Sequence, residues 1–231
     1  MTASPQPDID LPVTSVEEAL PGQAAYTKVS LRIYDLMVLG FSNRFLWGCP
    51  TDELLKLYDR NVSASHLDVG VATGFFLDRC RFPVERPRLA LLDLNQTCLD
   101  TAARRVARFS PEIYRANVLQ PIAIEAPPFQ SIAMTYLLHC LPGPMSRKAA
   151  AFGYLKAHLA PGGRFFGATI LGRGVTHNAL GRRVMALYNA KGIFGNAEDD
   201  AESLRQALAQ HFVEVELRMQ GRVAVFTARN G

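Results

Sequence analysis

Apolar residues recur with two different periods along the 231-residue chain. Residues 1–15 show neither period: Pro5, Pro7 and Pro12 sit among polar side chains with little to bury, which predicts a disordered tail. From residue 25 to 40, Val29, Ile33, Leu36 and Met37 fall at helical spacing, and Gly40 is the expected terminator. Thr51, behind Pro50, is expected to cap a second helix running through Tyr58. A regular alternation follows. Short apolar runs at 65–69, 88–92, 113–116, 131–138 and 164–171 predict strands, and amphipathic stretches at 74–81, 96–108 and 146–159 predict the helices between them. Such alternation implies a mostly parallel sheet with helices on both faces.

The C-terminal part breaks the pattern. After a helix expected over 200–211, two strands at 213–219 and 222–228 are separated only by Gln220-Gly221, so they must run antiparallel. The predicted fold is therefore α/β: a three-layer sandwich whose mostly parallel seven-stranded sheet is closed by a C-terminal antiparallel hairpin, with an N-terminal helical cap. The divisions expected are a tail at 1–15, a cap at 16–61 and one sheet domain at 62–231. This length suits a single domain with a substantial core.

The chemistry concentrates where the first of these strands ends. His66-Leu67-Asp68-Val69-Gly70-Val71-Ala72-Thr73-Gly74 carries an apolar strand into a glycine turn and then into a helix. Glycine serves where a loop bends sharply and brings backbone against a ligand, and the following helix points free N–H groups at the same place. The next strand ends in Asp93, about twenty residues on, where an acid can grip ribose hydroxyls. A dinucleotide site wants G-x-G-x-x-G, and here Phe75 stands at the third glycine position, which weakens a nicotinamide reading.

The run resembles the D-x-G-x-G-x-G motif of class I S-adenosylmethionine (SAM)-dependent methyltransferases, with Ala72 in place of the middle glycine. Other landmarks continue the resemblance from about Thr51 to Arg229. Asp93 falls where that family's ribose-binding acid falls. Asn117 and Val118 follow the third strand on the adenine side, with an amide where a carboxylate is common. The run from Phe129 to Pro142, which includes Thr135 and Tyr136, is similar to the fourth strand and its following loop, with Gln130 in place of the usual Asp. Leu159-Ala160-Pro161-Gly162-Gly163 matches the turn before the fifth strand. The resemblance implies SAM as cofactor and S-adenosyl-L-homocysteine (SAH) as product. It implies Asp68, Gly70, Val71, Ala72, Gly74, Asp93, Leu94, Asn117, Val118, Thr135 and Tyr136 as cofactor contacts, joined by Tyr26 from the cap.

It also implies where the methyl acceptor sits. His139, after the fourth strand, is the candidate general base, or else a histidine tied to backbone. His177, expected to open the helix after the fifth strand, is a smaller candidate for acceptor contact. Tyr26, Tyr34, Phe41, Phe45 and Trp47 gather rings ahead of the glycine turn; Tyr34 and Trp47, which keep polar handles, are candidate acceptor contacts, whereas Phe41 and Phe45 read as packing. A flat, partly apolar acceptor is the expectation, methylated on O, N or C without a metal.

Charge and composition narrow the partners. The net charge of +4 is modest, and Arg104, Arg105 and Arg108 read as the solvated face of a helix, which argues against nucleic acid. Cys49, Cys80, Cys98 and Cys140 form no C-x-x-C pair, the five histidines form no close pairing of the kind zinc uses, and no apolar stretch approaches a membrane span. A cytoplasmic enzyme, monomeric or homodimeric, with a small-molecule acceptor and no membrane partner is expected. Methylation of RNA or protein, and SAM binding without methyl transfer, stay open as alternatives.

Overall fold

A computed structural model describes residues 35–231 of the chain. A π-type helical segment, Asp35–Trp47, leads into helix α1, Thr51–Asn61. The alternating core follows as β1 (Ser65–Val69), α2 (Phe75–Arg79), β2 (Arg88–Asp93), α3 (Gln96–Arg105), β3 (Glu112–Arg115), β4 (Phe129–Thr135), α4 (Met145–Lys156) and β5 (Leu159–Ile170). Helices α5 (Ala179–Ala190) and α6 (Ala201–Ala209) precede the hairpin β6 (Val213–Gln220) and β7 (Val223–Arg229).

The seven strands lie in the order β3-β2-β1-β4-β5-β7-β6. Neighbours from β3 to β5 pair in parallel, and β7 runs antiparallel to both β5 and β6, so six strands share one direction. Period-two alternation sends successive side chains to opposite faces. Ala90 and Leu92 of β2 join a core with Phe152 and Leu155 of α4 and Leu204 and Leu208 of α6. Leu89 and Leu91 join the opposite core with Leu54 and Leu57 of α1 and Leu99 and Ala102 of α3. Phe165 is sandwiched between Phe212 and Phe226 at centroid separations of 4.8 and 5.7 Å. Burying each such ring contributes about 1.5–3 kcal/mol. Helix α1 thus packs directly on the sheet as part of its helical layer.

Several boundaries differ from the sequence expectation, each for a visible reason. Gly40 ends nothing: the helical segment runs on to Trp47 and stops at Gly48, whose φ of +67° no helix continues through. Thr51 is the first residue of α1, not its cap; its hydroxyl donates to the Leu39 carbonyl and accepts from Asn43 Nδ2 at 2.9 Å. Strand β4 ends at Thr135 because Tyr136 turns to a φ of +62°, and residues 138–140 wind into a short 3-10 turn. Helix α3 stops at Arg105, and a 3-10 turn takes up Ala107–Phe109. The glycines after Pro161 lie within β5 as an irregularity in its pairing with β4, stitched by Asn230, which donates from its backbone N–H to the Gly163 carbonyl at 2.9 Å. In the C-terminal hairpin Gln220 is itself paired with Val223, so the turn is Gly221-Arg222. No helix among the described residues is long and apolar enough to cross a membrane.

Candidate active site

Strands β1 and β4 are neighbours although β2 and β3 lie between them in sequence, so the chain switches direction of winding there, and open parallel sheets form a crevice at such a point. A cleft of about 1040 Å³, open solvent at its mouth included, occupies this crevice at the C-terminal strand ends. Asp68 lines it from β1 and Gly70 from the turn after it, Leu92 and Asp93 from β2, Ala116 and Asn117 from beyond β3, and Thr135 and Tyr136 from the end of β4 and the residue after it.

The glycine turn is held by protein on its far side. Gly70, at φ +76°, donates its N–H to the Leu92 carbonyl at 2.8 Å, and a Cβ there would lie 2.8 Å from Leu137 Cβ. Gly74, at φ +72°, starts α2, and a Cβ on it would lie 3.0 Å from Ala102 Cα of α3. Ala72 adopts φ +45°, a left-handed conformation that costs a non-glycine residue roughly 1–2 kcal/mol. Helix α2 is only five residues long, so its dipole at the turn is weaker than the expected helix over 74–81 implied.

Two carboxyls form the acidic floor. Asp93 accepts the Asn95 N–H at 2.9 Å, and amides of Ala72 and Val71 also favour its charge. Burial outweighs them and pushes it up to about 6. Although partly exposed by area, it sits at the bottom of the cleft with protein almost all around. Asp68 is 4% exposed, accepts the Tyr58 hydroxyl at 3.1 Å, and is pushed by burial up to about 7.

Asn117 supplies a polar group of another kind. Its Oδ1 accepts the Leu119 N–H at 3.0 Å, while its buried Nδ2 finds no partner among the described residues. An unpaired amide on the wall of a cleft costs about 1–3 kcal/mol unless a ligand satisfies it. A donor beyond β3, two carboxyls below and a glycine turn beside them suit a ligand with a purine at one end and positive charge at the other. The expected adenosyl cofactor fits that description. Val71, Ala72, Gly74, Leu94 and Val118 also line the cleft.

The acceptor-side expectations fare differently. His139 is 4% exposed and is not on the cleft wall. Its ring packs edge-on against Phe194 at 4.6 Å, the Ile170 N–H reaches its Nδ1 at 3.4 Å, and burial pushes it down to about 3. A base that weak takes few protons near neutral pH, so this geometry supports the backbone-tied histidine over the general base. Trp47 is 3% exposed and packs on Phe194 and, edge-on, on His177. His177 lies just before α5 and does not open it; Asn178 is the cap, and His177 Nε2 meets the Leu171 carbonyl at 2.9 Å. Neither Trp47 nor His177 lines the cleft. Tyr26 and Tyr34 lie outside the described residues.

The sequence reading missed other wall residues. Tyr58 stacks on Phe76 at 5.0 Å, and both line the cleft with Cys140, Leu141 and Pro142. Tyr58 follows Leu54 by one helical turn, a signal indistinguishable from ordinary core. The arginines at the end of α3 and in the 3-10 turn after it also have internal work: Arg105 donates to the Thr73 hydroxyl at 2.9 Å, and Arg108 pairs with Asp78 at 2.6 Å, which ties this segment to the glycine turn and α2. No group of three or more His, Cys, Asp or Glu residues among the described residues is arranged to hold a metal ion.

The chain is similar to known proteins along nearly its whole length. It is 40% identical over 212 residues to the demethylluteothin O-methyltransferase of Streptomyces thioluteus, covering 92% of each chain. It is 39% identical over 209 residues to the physcion biosynthesis cluster O-methyltransferase of Aspergillus chevalieri, covering 90% of this chain and 94% of that one. Among solved structures, the N-methyltransferase NodS of Bradyrhizobium japonicum WM9 in complex with SAH superposes with a TM-score of 0.59 at 20% identity, over 89% of this chain and 98% of that one. No protein-family model matches the chain.

Proposed function

The chain belongs to the class I SAM-dependent methyltransferases of small-molecule metabolism, and from that premise we propose that it methylates a hydroxyl oxygen of a small, aromatic-containing metabolite, without a metal. The observation that carries this reading is the apolar share of the cleft wall: Leu39, Leu137, Leu141 and Pro142, with Tyr136. Such a wall favours a flat apolar acceptor and offers little to a charged one. The two O-methyltransferase relatives support oxygen as the methylated atom.

In this reading Asp93 would hold the ribose hydroxyls, Asn117 Nδ2 the adenine edge, and the turn from Gly70 to Gly74 the sulfur-bearing chain, with Asp68 near its ammonium. Bound SAM supplies a methyl already electrophilic through its sulfonium, and SAH is what remains after transfer. The residues of the chain have the task of holding the acceptor in line and keeping water away; orientation alone can supply ~7–11 kcal/mol of a barrier. The apolar wall serves that task, and no described histidine stands on it.

Calorimetric titration with SAM, SAH and NAD+ tests the cofactor end: the two adenosyl sulfur ligands bind and NAD+ does not. Incubation with SAM and candidate phenols tests the rest, since methylated product and SAH must appear together in equal amounts. SAM binding with no product from any acceptor class would favour a SAM-binding protein without methyl transfer. Replacing Asp93 with Ala should weaken SAM binding by ~1–3 kcal/mol, about 5- to 150-fold, through loss of charge-assisted hydrogen bonds. An unchanged dissociation constant would remove Asp93 from the cofactor contacts.

A further inference from the structure

We propose that Tyr58 is a positioning residue for cofactor binding: its hydroxyl, donated to Asp68, fixes the carboxylate that meets the positively charged amino-acid end of SAM. This rests on the reading above that Asp68 is a cofactor contact.

Tyr58 belongs to α1, ahead of the glycine turn and outside the motif that marks the cofactor site. Its ring is 1% exposed and clamped on two sides, stacked on Phe76 with an interplanar angle of 15° and edge-on to Phe166 at 5.2 Å. A ring held in this way cannot swing, so the hydroxyl has one place to be, 3.1 Å from Asp68 Oδ2. Both residues border the cleft, with 4% of Asp68 and 1% of Tyr58 exposed.

A core tyrosine that merely satisfied its own hydroxyl would need only some acceptor. Here the acceptor is an acid whose charge is costly where it sits. The groups acting on Asp68 come from each element around it. Asp93 from β2 disfavours its charge, the Tyr58 hydroxyl from α1 and the Val69 backbone N–H favour it, and Asp68 in turn raises the Cys80 thiol beyond α2. The hydrogen bond from Tyr58 is therefore a main counterweight to burial.

The sign of the pH effect follows. Asp68 at about 7 and Asp93 at about 6 are partly protonated in mildly acidic solution, so affinity for a cationic ligand rises with pH across that window. Without the Tyr58 hydroxyl the Asp68 carboxyl holds its proton to higher pH, and the rise shifts upward.

The test is the SAM dissociation constant of the full chain by calorimetry between pH 5.5 and 9 for wild type, Tyr58→Phe and Asp68→Asn, with thermal unfolding run on each. Tyr58→Phe keeps both ring contacts, removes one oxygen, and should bind SAM about 3- to 10-fold more weakly at pH 7, with the midpoint of its pH profile moved up by about half a unit to one unit. Asp68→Asn should bind weakly throughout and lose the component near pH 7. If Tyr58→Phe follows the wild-type profile while Asp68→Asn is weakened, Tyr58 is only a core ring and the proposal is overturned. If Asp68→Asn itself follows wild type, Asp68 is not a cofactor contact, and the reading beneath the proposal falls first.

Discussion

Gly70→Val is expected to abolish measurable SAM binding, a loss of more than ~100-fold, in a protein that still folds. Two penalties coincide at this position. The backbone sits at φ +76°, which a β-branched residue adopts only with strain. The new Cβ would also lie 2.8 Å from Leu137 Cβ and 3.1 and 3.2 Å from its δ-carbons. Leu137 is itself a wall of the cleft, so relieving the clash must move either the glycine turn, proposed to hold the cofactor, or the cleft wall that lies against it. A matched control separates strain from site. Gly162 has nearly the same φ, +70°, and a Cβ there would have nothing within 4 Å. Gly162→Ala should therefore cost roughly 1–2 kcal/mol of stability and leave SAM affinity unchanged. Wild-type affinity in Gly70→Val would mean that the cofactor binds elsewhere.

The need for glycine at position 70 was legible in the sequence, because an apolar strand running straight into closely spaced glycines has to bend sharply where they stand. The steric reason was only partly legible: the nearest obstacle is Leu137, nearly seventy residues on, which no local pattern announces. The alternation of strand and helix and the closing hairpin were legible for a like cause, being written in periods and short turns, whereas the order of the strands in the sheet was not.

The departures fall where tertiary packing overrides a local signal. The sequence leaves His139 as a base or a histidine tied to backbone; the Phe194 ring packed against it favours the second, and nothing near His139 in sequence encodes that contact. Trp47, a candidate for its polar handle, and His177, a candidate for its place after the fifth strand, pack edge-on against each other, a contact that neither local pattern announces. Strand β4 was drawn too long because Tyr136-Leu137-Leu138 is apolar, and apolarity carries no record of a left-handed φ. Tyr58 went unnoticed for the opposite reason, since its spacing in α1 is that of any core residue.

The buried pair Lys148–Asp199 left no mark in the sequence either, and it carries the largest stability prediction. Lys148 on α4 and Asp199 before α6 are 0% and 1% exposed, and their charged atoms lie 2.6 Å apart. Lys148 Nζ also donates to the Gly195 carbonyl at 2.8 Å, and the Gly195 N–H donates to the His139 carbonyl at 2.9 Å. The Asp199 carbonyl accepts the N–H groups of Gly172 and Arg173 at 3.1 and 3.0 Å. The ion pair fastens the segment ahead of α6 to α4, and backbone hydrogen bonds of the same segment carry it on to the end of β5 and to the turn after β4. Lys148→Met leaves Asp199 a buried charge with its cation gone, which costs ~3–5 kcal/mol. In a chain of this size that lowers the unfolding midpoint by roughly 10 °C. The double variant Lys148→Met/Asp199→Leu removes both charges and should recover most of the loss, because apolar replacement of a whole buried pair is often neutral. Neither residue lines the cleft, so SAM affinity at a temperature where each variant is folded should match wild type. Thermal unfolding of the two variants decides the matter. A Lys148→Met midpoint within about 2 °C of wild type, a change below ~1 kcal/mol, would show that water reaches Asp199 and that the pair fastens nothing.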